Sequence, residues 1–341
     1  MIVSKFGGTA ISPRNLKRVK EIIEKSSSRL VVVSAVGKSH EKDVKTTDLL
    51  VDFHNTNDVK YWKKVCEKYK ELVSHNQIDV DVDQLLVDAF NRIKEHKSFD
   101  YTLSVGEELS AKIVAKFLNF DYLEAEDLVI FDNVLSIGKS AKKLKNAFKK
   151  VQKGAILGGF YGGSKFGRKV LERGGSDVTA SLCANVFDAR LINYVDVLGF
   201  CMASPKDVFC PKTIDCISFD DAIVLCKNGA TVLHPYCISL LKKKNLCLEV
   251  KSFYNLHHNG TLVSNQSAPQ RLLGLSAKKV GDKTVAKVVF SYLPNVALKR
   301  LAKTKLNFER AKVEANCLTI YCEQEPKKVV NLLYDTFAVD T

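Results

Sequence analysis

The chain opens Ile2-Val3-Ser4-Lys5-Phe6-Gly7-Gly8-Thr9, and the reading of this stretch decides the fold. It reads as a short strand that ends in a lysine and two glycines and then runs into a helix, Asn15 to Lys25. A strand that breaks into Gly-Gly before a helix leaves backbone N–H groups uncovered, which suits an anion and above all a phosphate. The lysine adds the positive point charge that phosphate chemistry needs. It precedes the glycines, so the stretch is not a Walker loop. The plain alternative is a buried strand with a glycine turn and a solvated lysine.

Working outward, strand and helix patterns alternate. Arg29 to Ala35 is a continuous apolar run, as expected of a strand covered on both faces of a parallel sheet. Asn57 to Val73 carries Trp62, Val65, Cys66, Tyr69, Leu72 and Val73 on one helical stripe, and Leu85 to Ile93 repeats the pattern. A helix is expected to start at Gly106 and run to Phe117. Ala155 to Phe160 reads as a strand, Gly174 to Phe187 as a helix, Ala189 to Val195 and Leu246 to Phe253 as strands. This rhythm predicts an α/β, doubly wound, mainly parallel sheet with helices on both faces. Ligands of such sheets bind at the carboxyl ends of the strands. The glycine-bearing turns after Ser4, Ala35, Leu157 and Val197 lie there.

From Ser264 to Arg271 the composition turns to Ser, Asn, Gln and Pro, which reads as a linker. Beyond it come strands at Leu272–Lys279 and Thr284–Leu293 and a helix from Pro294 to Lys305. Strands at Phe308–Ala315 and Cys317–Glu323 and a helix from Pro326 to Phe337 follow. This is the content of a small ferredoxin-like α+β unit. The division expected is 1–265 for the first domain and 271–341 for the second.

Composition bounds the function. The 341 residues are 46% hydrophobic and 26% charged, ordinary for a soluble globular protein. No apolar run approaches a membrane span, and the N-terminus begins directly in a strand, so neither a membrane nor a secretory leader is expected. The ten cysteines are scattered without a CxxC, and Cys66, Cys183 and Cys226 fall at apolar periodic positions; they read as reduced core thiols of a cytoplasmic protein. His234 and Cys237 lie three apart with no second pair to complete a metal site. The formal charge of +14 sits mostly on lysines of helix faces, such as Lys142, Lys143, Lys145, Lys149 and Lys150. No aromatic ladder interleaves with them, so an anionic substrate is favoured over nucleic acid.

Four segments fall at the predicted strand ends. They are Lys5 to Thr9; Ser34 to Gly37, followed by Thr47 to Leu50; Ser104 to Glu107; and Arg173 to Ala180. In the fourth, Ser176 is read as an N-cap, with Gly174 and Gly175 leaving N–H groups open before it. Asp177 falls in the first turn, where the helix dipole favours a carboxylate, which can hold a lysine in place. Arg173 suits a carboxylate ligand, and Glu107 is read as opening a helix.

Together these segments resemble the aspartokinases of the amino-acid kinase family. The KFGGT start, the SA-x-G turn, the GE pair, RGGSDxTA and Gly229-Ala230-Thr231-Val232-Leu233-His234-Pro235 occur in the family's order. The resemblance implies transfer of the ATP γ-phosphoryl group to the side-chain carboxylate of L-aspartate, with Mg2+ held mainly by the ATP phosphates and by no protein metal site. It implies that Lys5 stabilises charge on the moving phosphoryl group, that Gly7 and Gly8 touch phosphate oxygens, and that Asp177 orients Lys5. Arg173 takes the substrate α-carboxylate, Glu107 its ammonium, and Ser34 and Thr47 line the pocket. Asp196, Lys206 and Thr231 fall on the ATP side. A carboxylate nucleophile is already ionised and needs no general base, so positioning and charge stabilisation are the whole task.

The chain departs from the family on the nucleotide side. Val195-Asp196 stands for the usual Thr-Asp, Cys201 for a tyrosine near adenine, Ser204 for an aspartate, Lys206 for an arginine and Thr231 for a lysine at ATP phosphate. One lost charge-assisted contact costs roughly 1.5–3 kcal/mol, about ten- to a hundredfold in affinity. Lys206 or a nearby lysine is expected to supply the missing charge. The polar insertion Lys38 to Thr46 reads as a lid or a plain solvated loop. The tail has room for one ACT-like module, expected to form a homodimer, and Pro294-Asn295 replaces the Pro-Gly of family effector loops, which argues against feedback inhibition. The rival readings are another amino-acid kinase, a regulatory paralogue without catalysis, and a basic nucleic-acid-binding protein.

Overall fold

The opening strand, β1 (Ile2–Phe6), is buried over four of its five residues because it has a parallel neighbour on each side, Leu30–Val33 on one and Arg190–Val195 on the other. The computed structural model describes residues 1–40, 42–171, 174–266, 272–291, 297–302, 304–314 and 316–338. Two units, Met1–Asp196 and Val197–Thr341, are each compact.

In the first unit the chain runs β1, α1 (Leu16–Ser26), β2 (Leu30–Val33), α2 (Thr46–Thr56), α3 (Val59–Asn76), α4 (Val82–His96) and α5 (Phe99–Leu118). It continues through β3 (Asp121–Leu123), α6 (Ala125–Leu128), α7 (Ile137–Phe148), β4 (Ala155–Gly158), β5 (Tyr161–Ser164), β6 (Gly167–Val170), α8 (Gly175–Val186) and β7 (Arg190–Val195). Five strands lie side by side as β3-β4-β2-β1-β7, all parallel. Successive connections move from β1 toward β3 and β4 and then return across β1 to β7. That reversal opens a crevice at the carboxyl ends of the central strands. The core of the sheet is dry: Val3, Phe6, Leu30 to Val33 and Ala155 to Leu157 are inaccessible to solvent. β5 and β6 form a separate antiparallel hairpin.

Two of the glycine turns at this edge are locked together. The Gly37 N–H donates to the Gly8 carbonyl at 2.9 Å. A Cβ on Gly37 would lie 2.3 Å from the Gly8 carbonyl carbon, and a Cβ on Gly106 would lie 2.9 Å from the Ala35 Cβ. Only hydrogen at these positions lets β1, β2 and α5 approach so closely.

In the second unit β8 (Cys216–Ser218), α9 (Phe219–Lys227), α10 (Pro235–Lys242), β9 (Leu248–Ser252) and β10 (Thr261–Ser264) come first. β11 (Leu272–Val280), β12 (Lys283–Phe290), α11 (Ala297–Leu301), β13 (Phe308–Glu314), β14 (Cys317–Cys322) and α12 (Pro326–Phe337) follow. β10 pairs parallel with β8 and antiparallel with β9. β11-β12-β14-β13 is a separate antiparallel sheet, with α12 packed on β11 and β12. The doubly wound sheet and the small α+β unit are therefore as the sequence leads one to expect.

Several local expectations are corrected. The helix containing Glu107 does not begin at Gly106; it starts at Phe99, where the Ser98 hydroxyl accepts from the Tyr101 N–H. Gly106 stays helical because α5 needs a residue without a side chain against Ala35, and Glu107 is therefore interior and not at a helix start. Ser176 is not the N-cap of α8. Gly174, at φ +77°, holds that position because its left-handed backbone turns the chain into the helix. The Ala155–Phe160 strand ends at Gly158, and the β5–β6 hairpin follows. Cys66 and Cys226 are half-buried, whereas Cys183 is in the core. The insertion at Lys38 to Thr46 is held in its C-terminal half: the Thr46 hydroxyl donates to the Val36 carbonyl at 2.6 Å and Asp43 binds Lys68 at 2.5 Å. Arg173, Pro294, Asn295 and most of the linker lie outside the described residues.

Replacing Gly37 with Ala should lower unfolding stability by about 3 kcal/mol, because the new Cβ meets backbone that cannot move cheaply. Replacing Gly138 in α7, where nothing lies within 4 Å, should change stability by less than about 1 kcal/mol. Urea melts of the two variants check the contrast; equal effects would contradict the packing described.

Candidate active site

Lys5 is the last residue but one of β1 and is only 8% exposed. An ammonium held away from water needs a counter-charge. It has one: the Lys5 Nζ lies 2.7 Å from the Asp177 Oδ1. Asp177 sits in the first turn of α8, where the helix dipole favours a carboxylate. A third group joins them. Asn193 of β7 stands beside Lys5 in the parallel register, and its Nδ2 donates to the Asp177 Oδ1 at 3.3 Å. Its Oδ1 is buried and has no hydrogen-bond partner in the structure.

The α8 N-terminus is brought to the strand edge by glycine. A Cβ on Gly159 would fall 2.6 Å from the Ser176 Cβ, so the end of β4 and the first turn of α8 touch. Ser34, just past β2, donates through its hydroxyl to the Ser176 hydroxyl at 3.0 Å. Gly7 lies nearby, and a Cβ there would be 3.6 Å from the Lys5 Nζ. Lys5, Gly7, Ser34, Ser176 and Asp177 thus share one neighbourhood: a paired cation, a glycine turn and the start of a helix. Such a neighbourhood is suited to receive an oxyanion.

Ala35 connects this neighbourhood to Glu107. The Ala35 N–H donates to the Glu107 Oε1 at 3.1 Å, and the Glu107 Oε2 is buried without a partner. Burial pushes the Glu107 carboxyl up to about 8, against the backbone N–H groups of Ala35 and of Glu107 itself, which favour the charged form. The next residue behaves oppositely. Glu108 is also buried, which alone would raise it, but Arg168, Lys112 and Arg92 hold it down at about 2. Adjacent glutamates on α5 therefore face different worlds: Glu108 a saturated ion network, Glu107 a site with one vacant acceptor.

Thr47 lies in the first turn of α2, half-buried, and Gly8 is locked to Gly37 as described. Asp196 is exposed at the end of the first unit. Lys206 and Thr231 belong to the second unit and are both exposed. Arg173 is among the residues not described.

Two contributors escaped the reading of the sequence. Asn193 is the single polar residue in the run Leu191-Ile192-Asn193-Tyr194-Val195, and a buried amide inside an apolar strand is itself a signal. Lys68 occupies an apolar-stripe position of α3, three residues after Val65; it donates to the Gly37 carbonyl at 3.0 Å and binds Asp43. Its neighbour Tyr69 donates to the Gly106 carbonyl at 2.6 Å. One turn of α3 thus supports both the glycine turns and the Glu107 segment.

Residues 1–252 match the amino acid kinase family. The chain is 28% identical over 282 residues to an aspartokinase of Chlamydia muridarum, across 77% of this chain and 63% of that protein. A crystal structure of Clostridium acetobutylicum aspartate kinase superposes with a TM-score of 0.77 at 30% identity, over 98% of this chain and 82% of the other. E. coli aspartokinase III, solved in complex with aspartate and ADP, gives a TM-score of 0.72 at 21% identity over 96% and 80% of the two chains, a likeness of fold. The chain spans less than two thirds of the length of the first three curated relatives it matches, 61–64% of each.

Glu107 carries a stability signature. A carboxyl that ionises near 8 when folded and near 4.5 when unfolded leaves the fold unpenalised below 4.5 and loses stability as pH rises toward 8, on the order of 4–5 kcal/mol in all. Glu107→Gln should therefore melt a few degrees above the wild type at pH 9, with the gap closing toward pH 5. A gap that is the same at both pH values would show that Glu107 is not held protonated.

Proposed function

The chain belongs to the amino acid kinase family, and on that premise we propose that it is an aspartate kinase, transferring the ATP γ-phosphoryl group to the β-carboxylate of L-aspartate to give 4-phospho-L-aspartate and ADP. The observation that carries this reading is the buried Lys5–Asp177 pair beside a glycine turn and the α8 N-terminus. The names of its relatives point the same way.

The reaction needs no proton removed from the nucleophile. One substrate oxygen bonds to the γ-phosphorus as the bond to the bridging β–γ oxygen breaks, and that oxygen leaves on ADP. Catalysis is then charge management. In this reading the Lys5 ammonium follows the moving phosphoryl group, Asp177 and Asn193 hold Lys5 in place, and the N–H groups of Gly7 and Gly8 receive phosphate oxygens. Glu107 takes the substrate ammonium through its vacant Oε2, Ser34 and Thr47 flank the side chain, and Arg173 binds the α-carboxylate. Asp196, Lys206 and Thr231 serve the nucleotide.

Mg2+ bound to the ATP phosphates would supply charge neutralisation there. Among the described residues no three His, Cys, Asp or Glu side chains gather as a ligand set. The reading includes a kinase domain over 1–265, one ACT-like domain over 271–341 and a homodimer through the latter. No helix among the described residues is long and apolar enough to cross a membrane, and a cytoplasmic location belongs to the same reading.

Trapping the acyl phosphate with hydroxylamine tests the assignment. ATP-dependent hydroxamate should form with aspartate and at least about a hundredfold more slowly with glutamate, whose extra methylene displaces the reacting carboxylate. No product with aspartate, or preference for glutamate, overturns it. Because Glu107 must ionise to meet the ammonium, the KM for aspartate should fall by up to about tenfold per pH unit between 6.5 and 8 and level off above. In Glu107→Gln it should be raised and independent of pH; a wild-type KM that is flat over this range would remove Glu107 from that role.

A further inference from the structure

We propose that Ser276 and Lys287, a pair on the C-terminal sheet, are positioning residues for the nucleotide loop Asn228 to Thr231; the inference rests on the reading of Thr231 given above. The two residues stand opposite each other in the β11–β12 register. Both reach the same residue. The Ser276 hydroxyl donates to the Asn228 carbonyl at 2.8 Å, and the Lys287 Nζ donates to the Asn228 Oδ1 at 2.9 Å. Asn228 closes α9, and its Nδ2 donates to the Val224 carbonyl at 2.9 Å, which turns the Oδ1 toward Lys287.

The contact is close enough to restrict sequence. Gly229 adopts φ +125°, and a Cβ there would lie 2.5 Å from the Ser276 Oγ. A Cβ on Gly274 would lie 2.4 Å from the Leu225 Cδ1, so β11 lies flush against α9. The same strand holds the other nucleotide-side segment: the Leu275 N–H donates to the Met202 carbonyl at 2.7 Å, between Cys201 and Ser204. The segments bearing Lys206 and Thr231 are therefore fastened to one strand of the C-terminal sheet. Lys287 also carries a positive charge to a loop where Thr231 provides none. The sheet is thus part of the nucleotide half's own construction, whatever it does between copies of the chain.

The test is MgATP affinity by titration calorimetry and KM for both substrates, in the full chain, for wild type, Lys287→Met, Lys287→Arg and Ser276→Ala. Lys287→Met should weaken ATP about tenfold or more and leave the aspartate KM within about twofold, with Lys287→Arg recovering most of the loss. Ser276→Ala, which removes only one hydroxyl, should show the same split on a smaller scale and serves if Lys287→Met does not fold. Unchanged ATP affinity in both variants, or parallel loss of ATP and aspartate, overturns the proposal while the kinase reading stands. A wild type that binds no ATP at millimolar concentration removes the kinase reading itself.

Discussion

Everything at the strand edge depends on keeping one ammonium out of bulk water. Isolated, the Lys5 charge would be too costly to bury. Asp177 makes it tolerable at 2.7 Å, and Asp177 can stand there only because α8 begins there. That helix start needs Gly174 in a left-handed conformation and Gly159 beneath Ser176. Asn193 then braces the carboxylate from the neighbouring strand. Such a pair contributes little net stability, since desolvation offsets most of the attraction, but removing one partner strands the other at a cost of about 3–5 kcal/mol. The arrangement is better understood as fixed charge placed for a ligand than as a fastening of the fold.

Helix α5 applies the same logic with the opposite outcome. Arg168 lies between the Tyr101 and Tyr161 rings and binds Glu108, Glu124 and Glu126, so that side of α5 is electrostatically closed. Glu107, one residue earlier, takes the Ala35 N–H on one oxygen and leaves the other bare. A saturated network rigidifies, whereas an unsatisfied one retains a cost that a ligand can relieve. On α5 the ion pairs secure Glu108, while the Glu107 Oε2, close to the glycine turns, is left without a partner.

The sequence was legible where a single local rule governs. The βαβ rhythm, the Lys5-Gly7-Gly8 turn and the Gly174–Phe187 helix could be read because strand burial and glycine breaks are local properties. The reading failed where tertiary packing overrides them. Gly106 reads as a helix start, but α5 runs through it, and Ala35 leaves no room there for a side chain. Ser176 has the chemistry of a cap, but Gly174 has the backbone angle that the turn demands. Asn193 and Lys68 act only through partners distant in sequence, Asp177 and Asp43, which no spacing rule joins. The Ser276–Lys287 pair is likewise invisible until the β11–β12 register is known.

The claim at the centre is that the Lys5 ammonium serves transfer and is not simply a buried charge. The most direct measurement is a single-turnover experiment with γ-labelled ATP, aspartate and Lys5→Met, with the affinities for both substrates determined alongside. The account predicts a transfer rate lower by at least about a hundredfold, with each affinity within about tenfold of wild type. Transfer at the wild-type rate would contradict it.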